Sequence, residues 1–316
     1  MKSLNVILDT DLGSDCDDMM ALTYLVYATH HKNVKLCAVT HSNGCPEGPD
    51  ACRTFFEHLG EPVPPIGGPV VEMDVYDRYC KAIVERFDTA DPKPTYPDAV
   101  RVLRRALVEN DRVVICAVGA MTNIAALLKS KPDDVSPLDG VSLVRERCDK
   151  LVLMAGIFDP AVTRIEWNIH LDIPAAKTVA ERSPVPVIWL PSETGADVIT
   201  GGPMLEAFGE DTPLSLAFCL FPGVLKKGGR SSWDPATTLY GVEGCGEFFT
   251  ETPVGTVTVA EDGKTNYTPN GMGKHRVLYL KEDDAQPRDK TVRQMADYID
   301  RCAMWVYRKQ TKETKR

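Results

Sequence analysis

The sequence predicts a single α/β domain over residues 1–316, with a mainly parallel central sheet flanked by helices. Three observations carry that expectation. Short, continuous apolar runs recur along the chain, as strands buried on both faces require. Amphipathic stretches lie between them, so crossovers are short and helical. No linker-like tract divides the chain, and α/β folds of about two typical domain lengths often close as one unit.

The elements follow in order. Val6-Ile7-Leu8 is the first strand, with a helix beginning near Met19. The second strand is Val34 to Val39. Pro62 to Pro97 is rich in Pro and Gly and reads as loops around one helix, Tyr76 to Phe87. A helix over Ala99 to Glu109 precedes the third strand, Val113 to Val118, and a helix over Asn123 to Lys129 follows it. Leu151 to Met154 and Val185 to Leu190 are the fourth and fifth strands, separated by a helix over Ile173 to Glu181. Thr252 to Leu280 differs. It alternates through Gly255 to Val259, turns at Glu261 to Lys264 and resumes at Arg276 to Tyr279, so a small β appendage is expected near 252–280. A last helix runs from Lys290 to Tyr307, and the basic end, Arg308 to Arg316, is expected to fray.

Composition excludes several functions. There are 36 Lys and Arg against 45 Asp and Glu, a net charge of −9, which opposes a broad nucleic-acid or anionic-membrane surface. No run of about 18 apolar residues is present to span a bilayer. The opening, Met1 to Asp9, is too short and too acidic for a signal peptide. The 10 cysteines include no Cys-x-x-Cys pair, so they read as reduced, buried thiols of a cytoplasmic protein.

The chemistry concentrates in Asp9-Thr10-Asp11-Leu12-Gly13-Ser14-Asp15-Cys16-Asp17-Asp18, where 5 carboxylates fall within 10 residues. Crowded carboxylates hold protons unless a cation compensates, and an all-oxygen set suits Ca²⁺ or Mg²⁺. Helix capping by Asp15 or Asp17 is the plainer explanation, but it leaves Asp9 and Asp11 on the strand side unexplained. A helix-loop-helix calcium loop counted from Asp9 fails, because Gly13 and Ser14 hold its fifth and sixth positions. A phosphatase that uses Asp9 of Asp-x-Asp as nucleophile, with Mg²⁺, stays open, weakened by Gly13. Polar groups also follow the other strands: Asn43, the Gly119 to Ala125 block, and Glu166-Trp167-Asn168 beyond the fourth. In a parallel sheet those ends share one edge, where ligands bind, and acids with amides and hydroxyls suit a polyol such as a sugar. Asp234 before Pro235 reads equally well as helix-start chemistry.

Taken together and in order, the acidic opening, Asn43, Gly119 to Ala125, Glu166-Trp167-Asn168 with Asp172 and Pro174, and Trp233-Asp234-Pro235 resemble the inosine/uridine-preferring nucleoside hydrolases from about Leu4 to Leu278. The resemblance implies Ca²⁺-dependent hydrolysis of the N-glycosidic bond of small-molecule ribonucleosides, and a homo-oligomer, dimer or tetramer. It implies that Asp11, Asp18 and Asp234 bind Ca²⁺ through carboxylates and Thr122 through its main-chain carbonyl, with Asp11 also the general base. Asp17, Asn43, Glu166 and Asn168 would hold the ribose hydroxyls, Met154 would sit under the sugar, and Asp9 would buttress the site.

Two departures from the family pattern stand out. Ser14-Asp15-Cys16 places two extra residues before the paired acids, so Asp15 competes with Asp17 for one role. Trp233 stands where pyrimidine-active members carry a His that protonates the leaving base. With Trp167 it resembles the purine-specific branch, in which stacking favours protonation of the purine ring; Tyr76 or Tyr79 would complete the sandwich. His41 and His170 are alternative acids. A non-catalytic nucleoside or sugar sensor is the remaining reading.

Overall fold

The computed structural model describes residues 3–71, 74–284 and 286–313. Six parallel strands carry the architecture: β1 (Leu4–Thr10), β2 (Val34–His41), β3 (Ile66–Gly67), β4 (Val113–Ala117), β5 (Cys148–Met154) and β6 (Val187–Leu190), in the order β3-β2-β1-β4-β5-β6. Each central strand is buried on both faces, and alternate residues feed two separate cores. Val6 and Leu8 of β1 face one core and Ile7 the other. Val114 and Cys116 of β4 likewise oppose Val113, Ile115 and Ala117. That two-sided burial is why the strands read as unbroken apolar runs.

Helices cover both faces. Asp17–His31, Gly48–His58, Trp233–Glu243 and Arg288–Glu313 contribute to the first core; Ala99–Glu109, Thr122–Lys129, Gly140–Arg147 and Ile173–Arg182 contribute to the second. No helix among the described residues is long and apolar enough to cross a membrane. All 10 cysteines are free thiols, and only Cys219 and Cys245 are not buried.

The segment read as a small β appendage continues the main sheet. His275–Leu280 pairs parallel with β6, and Gly255–Val259 with Thr265–Pro269 forms an antiparallel hairpin at that edge. The turn at Glu261 to Lys264 therefore leads into Thr265–Pro269, a polar, largely exposed edge strand that no apolar run announces. The helix expected over Tyr76 to Phe87 begins at Cys80, because Asp77 Oδ1 accepts the backbone N–H of Tyr79 (3.1 Å) and Cys80 (2.7 Å). The last helix runs through the expected fray to Glu313, and Lys309 Nζ reaches Glu61 at 3.2 Å. Residues 314–316 of that basic end lie outside the described residues.

All six parallel strands end on one edge. Asp11, Ser42, Gly119, Ala155 and Ser192 each sit just beyond a strand there, so the topology delivers five polar or turning segments to one place.

Candidate active site

β1 ends in Asp9 and Thr10, and both side chains are used to build the edge. Asp9 is fully buried, and its Oδ1 accepts from Thr40 Oγ1 (2.5 Å) and Asn123 Nδ2 (2.7 Å), which ties β1 to β2 and to the Thr122–Lys129 helix. It does not line the cavity beside it, so it is no nucleophile, and the Asp-x-Asp phosphatase reading loses its reacting group. Thr10 Oγ1 donates to Asp18 Oδ1.

Asp17 and Asp18 open the Asp17–His31 helix without capping it; its N-cap is Cys16, with no side-chain bond. Their carboxylates meet that of Asp234, at the start of the Trp233–Glu243 helix, and each of the three offers an oxygen within 4.8 Å of the others. Asp17 Oδ2 accepts the backbone N–H of Trp233 (3.0 Å) and Asp234 (3.1 Å), which locks the two helix starts together. The carboxylates that meet are thus Asp17, Asp18 and Asp234, where Asp11, Asp18 and Asp234 were expected. Asp11 lines the cavity alongside Asp17 and Asp234, and its charge acts on Asp18 and Asp234.

The electrostatics of this cluster call for a cation. Burial, reinforced by mutual repulsion, pushes Asp17, Asp18 and Asp234 well above the usual carboxylate range. Burial lifts Asp9 and Asp11 to about 7. Asp18 Oδ2 is buried with no hydrogen-bond partner. An orphaned carboxylate oxygen among two further carboxylates is a hard, all-oxygen donor set, and it fits a divalent cation.

Asp15 and Asp17 have different partners. Arg230 takes Asp15 in a forked ion pair, with Nε 2.8 Å from Oδ1 and Nη2 on Oδ2. Asp15 is therefore a charge partner for Arg230 within the cavity lining. Asn43 is also committed elsewhere: Nδ2 donates to the Tyr76 carbonyl at 2.6 Å, and Oδ1 accepts from the Cys45 and Tyr76 backbones at 3.1 Å. It pins the 43–76 loops together and does not line the cavity, so the expected sugar contact gives way to a scaffolding one.

The cavity, of about 410 Å³, is lined on its far side by Met154, Glu166, Trp167 and Asn168. Glu166 caps the Trp167–Leu171 helix, accepting from Asn168 N (2.9 Å) and Ile169 N (3.0 Å). Burial raises it to about 6 even against those bonds. Asn168 Nδ2 spans β4 and β5, donating to Val118 O (2.8 Å) and Met154 O (3.0 Å). Thr122 does not line the cavity; its hydroxyl donates to Asp172 Oδ2 at 2.7 Å.

Three aromatic rings stand at the opening. Trp233 is fixed by its indole N–H to the Ser192 carbonyl (2.7 Å), Phe221 stands near it, and Trp167 is 45% exposed. Tyr76 meets Trp167 edge-on at 5.5 Å and does not line the cavity, and Tyr79 is buried with its hydroxyl on the Asp15 carbonyl (2.6 Å), so neither ring completes a sandwich. Neither histidine considered as an acid lines the cavity. His41 is buried, lowered to about 4 by desolvation and bonded to the Leu12 carbonyl; His170 is exposed behind Trp167. Arg78, Arg164, Ser192, Phe221 and Arg230 also line the cavity and carried no usable sequence signal, since each sits in a connection or at its border.

Glu166 gives a stability test. Its folded value of about 6 lies above the ordinary 4.5, so its contribution to stability is present below about pH 4.5 and lost as pH rises through 6. Measured by urea unfolding in chelator, the stability advantage of wild type over E166Q should shrink by about 2 kcal/mol between pH 4 and pH 7. A pH-independent difference would contradict this reading of the site.

The site can now be set beside known proteins. The model of the inosine-uridine preferring nucleoside hydrolase family matches residues 6–285. No curated protein sequence matches the chain. Among solved structures, an inosine-uridine preferring nucleoside hydrolase from Bacillus anthracis is 16% identical, covers 96% of this chain and 99% of its own, and has a TM-score of 0.68. The purine-preferring ribonucleoside hydrolase from Gardnerella vaginalis is 18% identical, with 95% and 99% covered and a TM-score of 0.69. The effector protein XOO4466 is 17% identical, with 96% and 93% covered and a TM-score of 0.70. These three similarities share the single α/β fold, and the match over nearly the whole chain decides the assignment: the chain belongs to the inosine-uridine preferring nucleoside hydrolase family of N-glycosyl hydrolases.

Proposed function

We propose that the protein hydrolyses purine ribonucleosides to free base and ribose with Ca²⁺ as its cofactor. The observation that carries this is the meeting of Asp17, Asp18 and Asp234 at a cavity that also holds Asp11, Glu166 and Asn168. Asp11, Asp17, Asp18 and Asp234 would hold the ion, with the Thr122 carbonyl as a further oxygen. When bound, the ion neutralises the acids and lends Lewis acidity to the site.

The chain's own residues do the rest. Asp11 accepts a proton from the attacking water. The water oxygen bonds to the anomeric carbon as its bond to the base nitrogen breaks. Asp17, Glu166 and Asn168 hold the ribose hydroxyls over Met154, and the buried carboxylates stabilise the positive charge that develops on the sugar. The base must leave with a proton, and no histidine lines the cavity among the described residues to supply one. Trp233 has its indole N–H tied to Ser192 and carries Arg230 over its ring at 4.9 Å, so it offers only the ring face away from Arg230. Stacking by Trp233, with Trp167 beside it in the lining, favours a large π-system that can be protonated on its own ring, hence a purine.

Ribose release from inosine, adenosine, guanosine, uridine and cytidine, with and without chelator, tests the reading. Purines should turn over, chelator should stop them, and Ca²⁺ should restore them. Uridine cleaved at an equal rate would remove the stacking argument, and binding without turnover would favour a sensor. Asp11→Ala should lower kcat by about 10²–10⁴-fold.

Gly119 offers a second test. A Cβ there would lie 2.7 Å from Asp11 Cβ and from Ser42 Oγ. Gly119→Ala must therefore move the base, and a shift of about 1 Å costs on the order of 10²-fold in rate. Full activity in that variant would mean that Asp11 placement is not critical.

A further inference from the structure

Three arginines line the same cavity as the acids, and apart from Asp15, which pairs with Arg230, the acids lie deeper than the arginines. Asp11, Asp17, Glu166 and Asp234 are each at most 5% exposed and form the floor. Arg78 and Arg164 are exposed and Arg230 is half-buried, which places them at the mouth. Arg230 is neutralised by Asp15 and is held between rings, 4.7 Å from the Phe221 centroid and 4.9 Å from that of Trp233. Arg78 lies over the same Phe221 ring at 5.2 Å, and its Nε donates to the Ser14 carbonyl at 3.1 Å. Arg164 Nη2 donates to Ser192 Oγ at 2.7 Å.

These contacts orient Arg78 and Arg164 without neutralising them. Among the described residues, neither has a carboxylate within ion-pair distance, although 21 such pairs form elsewhere. Each keeps guanidinium N–H donors that no protein acceptor uses. A neutral nucleoside offers two such cations only uncharged acceptors, which leave the charge uncompensated. A phosphate compensates it, and its oxygens match the planar fork.

We propose that the mouth binds a phosphate and that the preferred substrate is a ribonucleoside 5′-monophosphate. This rests on the N-glycosidase reading of the floor. With the vicinal diol of the ribose held by the acidic floor, O5′ is the ribose oxygen left to carry the phosphate. The reaction is unchanged in kind. The bond from C1′ to the base nitrogen breaks, water supplies the new oxygen on C1′, one water proton passes to Asp11 and on to solvent, and the base takes up one proton from solvent water on its ring as it leaves. Ribose 5-phosphate departs with its phosphate ester intact.

The test is calorimetric binding of inosine, inosine 5′-monophosphate and inosine 3′-monophosphate to the Ca²⁺-loaded protein, with hypoxanthine release measured in parallel. The 5′-monophosphate should bind about tenfold or more tightly than inosine, an advantage lost in the R78Q–R164Q double variant and weakened by salt. The 3′-monophosphate, which blocks the diol, should show no gain. Equal binding of inosine and its 5′-monophosphate, or an advantage that survives the double substitution, would overturn the proposal. Hypoxanthine release from inosine with no phosphate advantage refutes the phosphate site alone. A phosphate advantage abolished by the double variant, without any hypoxanthine release, supports the phosphate site and refutes the hydrolase reading.

Discussion

Mutual repulsion among buried carboxylates governs this molecule. Asp17, Asp18 and Asp234 each bring an oxygen within 4.8 Å of the others, and burial leaves little water to screen them. Bringing such charges together is unfavourable unless protons or a cation compensate. The surroundings are arranged to hold them there regardless. Thr10 holds Asp18, the backbone of Trp233 and Asp234 holds Asp17, and Asp9 ties the strand edge to β2 and the Thr122–Lys129 helix. The parallel sheet matters because it delivers these segments, far apart along the chain, to one edge with their polar ends facing the same cavity.

Polarity changes sharply across that cavity. The buried floor is acidic, aromatic rings that are half-buried to exposed stand further out, and guanidinium groups stand at the exposed mouth with them. A cation and a polyhydroxylated sugar suit the first, a flat base the second, and an anion the third. Arg230 links the layers, because its ion pair with Asp15 fixes the loop before the Asp17–His31 helix while its face rests on Phe221 and Trp233.

Much of this was legible in the residues. Apolar runs marked the strands because two-sided burial leaves no polar alternation, and the acidic opening marked the candidate cation site because capping accounts for only one or two acids. Other features depend on partners far away in sequence. Whether Asp15 or Asp17 joined the cluster was decided by Arg230, 215 residues from Asp15. Asn43 at a strand end looks the same whether its amide serves a ligand or, as here, two loop backbones. Thr265–Pro269 is a polar edge strand with no hydrophobic signature, and Arg78 and Arg164 sit in connections where periodicity says nothing.

Equilibrium Ca²⁺ binding to wild type, D18N and D234N tests the central claim most directly, since those two residues enter the site from opposite parts of the chain. One tight site in the wild type, lost in both variants while the fold is retained, is the result the account predicts. Calcium binding that survives D234N would show that the distant carboxylate takes no part, and would contradict it.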